Sequence, residues 1–177
     1  TAEEYRRSGP VDSAKEAAGM STPIVEQCAV KIKDLLSAIT IANGFNQDLI
    51  VQRPKRINLE SDTYTNNATF LAQGDGQPDP EANEATSWLE DFIIQVLCLD
   101  SDDATDSIDT RLNIVAADIL KKLFENDNYK LDGLADGIFV KKISRDIGIV
   151  NNTPQSIVDI EISVRFNVLT ANPYSQS

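Results

Sequence analysis

The stretch Val158-Asp159-Ile160-Glu161-Ile162-Ser163-Val164-Arg165-Phe166-Asn167-Val168-Leu169 decides the fold. Its apolar residues Ile160, Ile162, Val164, Phe166 and Val168 alternate with Asp159, Glu161, Ser163, Arg165 and Asn167. Successive side chains of an extended chain point to opposite faces, so this period of two predicts a strand with one apolar and one wet face. Such a strand needs a second layer against its apolar side.

Working outward, Ile138 to Ile143 predicts a neighbouring strand that extends to Ile147 or Val150. Ser87 to Leu99 predicts a third. There Trp88, Phe92, Ile94, Val96 and Cys98 share one face, and Leu89, Ile93, Leu97 and Leu99 make the other apolar too. Burial on both sides implies a central strand, or a face covered by another subunit. Two helices supply the covering layer. Val25, Cys28, Ile32, Leu35, Leu36 and Ile39 recur at spacings of three and four between Pro23 and Ala42. Thr22 and Pro23 suit the start, Glu26 suits the positive end of the dipole, and Asn43-Gly44 supplies a left-handed stop. The second helix, Ser107 to Asn126, carries Ile108, Leu112, Val115, Ile119, Leu120 and Leu123.

Asp48 to Gln52 and Lys55 to Glu60 are short strand candidates separated at Pro54. Ser61 to Thr86, with Asn66-Asn67, Gly74-Asp75-Gly76 and Pro78-Asp79-Pro80, reads as one long loop. The order of elements predicts an α+β fold: a mixed, mainly antiparallel sheet with two helices packed on one face. Residues 1–21 read as an N-terminal arm, 22–172 as one domain, and 173–177 as a tail. Met20 is either the natural initiator, with the earlier residues from an extended reading frame, or part of an arm that docks on a neighbour.

The composition narrows function. The net charge is -12, and there is no histidine. An acidic surface repels phosphate backbones, which disfavours broad nucleic-acid binding. Without histidine the commonest general base and metal ligand are missing, and no enzyme activity or cofactor is expected. No apolar run reaches the length of about 18 residues that spans a bilayer, so a soluble protein made in the cytoplasm is expected, with no membrane partner. Cys28 and Cys98 lie in apolar surroundings and read as buried, reduced thiols.

Asp100, Asp102, Asp103, Asp106 and Asp109 suggest a calcium loop, but Ala104, Thr105 and Arg111 occupy positions where one needs oxygen donors or glycine. A helix start decorated with acids is the simpler reading. Gly74-x-Gly76 lacks the strand and helix of a phosphate-binding turn. Trp88, Phe92, Phe124, Phe139 and Phe166 sit at core-facing spacings. Tyr64 and Phe70 lie in the polar loop, and either pack back onto the domain or anchor a partner. Arg53, Lys55 and Arg56 form the one basic cluster and are candidates to pair with acids on another chain.

At Ser37-Ala38-Ile39-Thr40-Ile41-Ala42-Asn43-Gly44-Phe45-Asn46-Gln47-Asp48 the sequence resembles the first helix and turn of bacteriophage tail terminator proteins, also called tail completion proteins or minor tail protein U. The similarity continues through Leu49 to Pro54, the Trp88 strand, the helix from Ile108 to Asn126 with its polar close Glu125-Asn126-Asp127, and the strand Asp159 to Leu169. The insertion Ser61 to Thr86 and the N-terminal arm depart from the compact family pattern.

The resemblance implies a structural virion protein of the tail and neck. It would form a ring, typically a hexamer, that caps the tail tube, ends its polymerisation and offers the head-joining surface. Its partners would be other copies of itself, the tail tube protein and head–tail connector proteins. DNA would pass through the ring without specific binding, helped by acids that repel it from the pore wall. Another neck or tube component, or a small-ligand binding module on the same frame, is the alternative.

Overall fold

The computed structural model describes residues 22–53, 65–80, 87–99, 106–150, 153–168 and 173–174. The first helix, α1 (Ile24–Ser37), is followed by a 3-10 turn at Ile41–Asn43 and the short strand β1 (Ile50–Gln52). Then come β2 (Ala68–Pro78), β3 (Ser87–Leu99), the helix α2 (Ile108–Phe124), β4 (Gly137–Val150) and β5 (Thr153–Asn167). The five strands lie in the order β1-β2-β3-β5-β4. Every pairing is antiparallel except that of β1 with β2. The expected α+β fold is the one observed.

The alternation in β5 works as its period implies. Val158, Ile160, Ile162, Val164 and Phe166 are buried beneath the helices, in one cluster with Phe92, Ile94 and Val96 of β3. From α1 that cluster takes Cys28, Ile32 and Leu36, and from α2 Leu112, Val115, Ile119 and Leu123. Each large side chain so buried contributes roughly 1.5–3 kcal/mol. The opposite face of β5 is polar but half-covered: Ser163 is buried and Asp159 accepts a hydrogen bond from Gln95 of β3.

α1 is shorter than its apolar stripe suggests. The chain leaves the helix after Ser37, and Ile39 reaches the core from beyond it. Pro23 occupies the N-cap, where no side chain caps the helix. α2 begins as expected, with the Ser107 hydroxyl accepting from the Thr110 amide at 3.3 Å. Asp109 stands in its first turn, where a carboxylate complements the dipole. Asp100, Asp102 and Asp103 lie outside the described residues.

The long-loop reading of Ser61 to Thr86 is corrected: β2 runs through it for eleven residues. The two glycines mislead because their role is close approach. A Cβ on Gly74 would meet the Asp91 Cβ at 3.2 Å, and one on Gly76 would collide with the Glu90 carboxylate. Small residues in strands often mark such crowding. A bulge between Gln73 and Gly76 absorbs the mismatch. Two aromatics are also corrected, since Phe124 is 42% exposed and Phe139 45% exposed. Phe124 ends α2 beyond its buried stripe, and Phe139 sits on the β4 edge away from the helices. The arm, residues 1–21, and the strand candidate Lys55 to Glu60 lie outside the described residues.

Both cysteines are buried and unpaired with each other. Burial pushes the Cys28 thiol up to about 12 and the Cys98 thiol up to about 11. Thiolate is the reactive form, so both should be inert near neutral pH. A disulfide-forming colour reagent is expected to label neither in the native protein and both after urea unfolding. Rapid labelling of either native thiol would contradict this packing.

Candidate functional site

Of the residues singled out in the sequence, the two that are described, Arg53 and Phe70, do not converge on a cleft. Arg53 turns back onto its own chain and pairs with Glu26 at 2.5 Å. Phe70 is 1% exposed in β2 and packs with Ala68 and Leu97 on the face away from the helices. Of its two readings, packing within the domain is the one observed. Lys55, Arg56 and Tyr64 lie outside the described residues.

The turn that carries the family resemblance is built with unusual care. Asp118 of α2, only 4% exposed, accepts from the Asn46 amide at 3.0 Å and from the Asn46 side chain at 2.9 Å. The Asp48 carboxylate accepts from the Ile41 amide at 2.7 Å, and the Asn43 side chain donates to the Ala38 carbonyl at 2.8 Å. Gly44 takes the left-handed φ of +83° that such a stop requires. Phe45 is buried, with Lys121 4.7 Å from its ring centre. Held this way, the turn presents Ile41, 61% exposed, on a fixed support.

A second surface is the edge strand β4. Among the described residues no strand pairs with its outer side. Val140 is 39% exposed and Ile147 59% exposed, with Arg145 also exposed on the same face between them. The edge is braced from behind. A bulge between Val140 and Lys142 lets the Lys141 ammonium cross β5 to Asp91 of β3 at 2.6 Å. The Ser163 hydroxyl donates to the other Asp91 oxygen at 2.6 Å.

The third feature was missed by sequence reasoning. An apolar groove of about 410 Å³ lies where α1 begins, lined by Pro23, Val25, Trp88, Phe166 and Val168, with Glu90 as its charged group. Glu90 is 6% exposed on the helix-side face of β3. It accepts from the Gln73 side-chain amide at 2.6 Å and the Trp88 indole N–H at 3.1 Å. The signal was present: an acid stands at a position where period two calls for an apolar residue between Trp88 and Phe92.

The described residues contain no group of three or more side chains arranged to hold a metal ion, and no helix long and apolar enough to cross a membrane. Compared with models of known protein families and with curated proteins, the chain matches none.

Two outcomes follow from this geometry. Asp118→Ala leaves both Asn46 donors without their acceptor and is expected to lower stability by about 1–3 kcal/mol in urea unfolding. An unchanged midpoint would remove Asp118 as the anchor of the turn. Burial raises the Asp91 carboxyl, but the bonds from Lys141 and Ser163 and the lysine charge outweigh it, leaving it below 3.8. A depressed folded value stabilises above the unfolded one and is lost as pH falls through the folded value. Asp91→Asn should therefore flatten the loss of stability below about pH 4; an acid limb identical to that of the parent would contradict the brace.

Proposed function

We propose that this chain is a non-catalytic assembly protein of the phage tail-terminator type, closing into a ring that caps the tail tube and receives the head. The observation that carries the reading is the β4 edge. Among the described residues its outer backbone has no pairing strand, and Val140 and Ile147 are exposed along it. Proteins that remain solitary usually shorten, cover, bulge or charge such edges; β4 has its bulge and its lysines at Val140 to Lys142 and pairs regularly from there to Val150. Here the strand is fourteen residues long, and Lys141 ties it to Asp91 of β3 on the face away from the helices. The rigid turn at Ile41–Asn43 adds a second contact point, on the segment that bears the family resemblance.

The groove beside Trp88 favours a second reading, a ligand-binding module, because an apolar concavity with one polar group is the usual form of such a site. Electron microscopy and sedimentation of the full chain separate the two. The terminator reading expects one closed ring of fixed size that does not stack into tubes. In a phage lacking the protein, it expects tails of uncontrolled length that fail to join heads. Open filaments would point to a tube subunit. A monomer at every concentration would overturn the assembly reading.

A further inference from the structure

Glu90 poses a physical problem. It is a carboxylate with 6% exposure, and among the described residues its hydrogen-bond donors, Gln73 and Trp88, are neutral. A buried carboxylate facing no cation is costly to keep, unless a cation arrives from elsewhere. The groove that reaches it has walls of proline, valine and aromatic rings, which suit the apolar stem of a long cationic side chain. Trp88 adds a ring face that attracts such a cation.

The same chain carries a group of matching chemistry. Lys31, Arg53, Lys122, Lys130, Lys141 and Arg165 all form ion pairs within the chain. Arg145 is exposed and, like the exposed Lys121 and Lys142, makes none among the described residues; it is the arginine of the three, and it stands beside the exposed Ile147. Arg145 cannot reach its own groove. It aligns with Val158, which aligns with Val96 of β3, eight residues along that strand from Trp88. At the usual rise this is about 26 Å.

We propose that Arg145 of one copy enters the Trp88–Glu90 groove of the next, with Ile147 packing at its rim. The two patches are different and lie at opposite ends of one sheet, so the contact is head-to-tail, the kind that closes rings. The inference rests on the ring reading and names the contact that would build it.

Trp88 is the sole tryptophan, so its fluorescence reports the groove directly. The full chain is diluted through its assembly range while sedimentation and Trp88 emission are followed together. The proposal expects emission to shift as copies associate, and n-butylguanidinium to reverse both the shift and the association. Arg145→Glu is a surface change that should leave the circular dichroism spectrum unchanged, and it should weaken self-association by about tenfold or more. Arg145→Lys should restore part of it. Glu90→Gln should fail alone, yet a mixture with Arg145→Glu should form pairs, since one variant keeps the arginine and the other the groove.

Rings that form normally from Arg145→Glu would overturn the proposal while leaving the ring reading intact. So would assembly without any change in Trp88 emission. Butylguanidinium binding to a chain that never associates would overturn both, and assign the groove to a free cationic ligand.

Discussion

β3 and β5 run together in an unbroken antiparallel ladder, from Ser87 opposite Asn167 to Leu99 opposite Gln155. That ladder is the constraint on which the rest depends. Because side chains alternate, its register sends Phe92, Ile94, Val96, Ile160, Ile162 and Val164 to one face together. A slip of one residue would turn the apolar set of the slipped strand to the opposite face. Both helices have their apolar stripes satisfied by this single surface.

With the helices committed to one face, the ladder also decides what remains available. The far face is tied down by polar contacts, Gln95 with Asp159 and Asp91 with Lys141 and Ser163. β4 is left at the rim, paired on one side only among the described residues. The start of β3 and the end of β5 extend to where α1 begins, and the groove forms there around Trp88 and Phe166. Open edge and acidic groove are thus consequences of one register, placed at different ends of the same sheet.

Much of this architecture was legible in the sequence, for definite reasons. β3, β5 and α2 are long and strongly periodic; the observed limits of β3 and α2 lie close to the expected ones, while β5 starts at Thr153, five residues before the expected Val158. β2 was not legible, because Gly74, Gly76 and Pro78 carry the usual meaning of a turn, whereas here the glycines make room for Asp91 and Glu90. Phe70 could be placed only once β2 existed. Phe124 and Phe139 share the spacing of core residues but sit where the core has ended, and periodicity does not know where a layer stops. Glu90 and Asp118 broke apolar patterns in plain view. Such interruptions deserve the same scrutiny as motifs, since each marks a buried carboxylate that something must satisfy.

The central claim is that the outer edge of β4 is covered by another copy of the chain. Amide hydrogen–deuterium exchange of the full chain at low and high concentration tests it directly. Outward amides between Gly137 and Ile147 should exchange quickly in the dilute protein and become protected as copies associate, while β3 stays protected throughout. Assembly that leaves those amides as open as before would contradict the account.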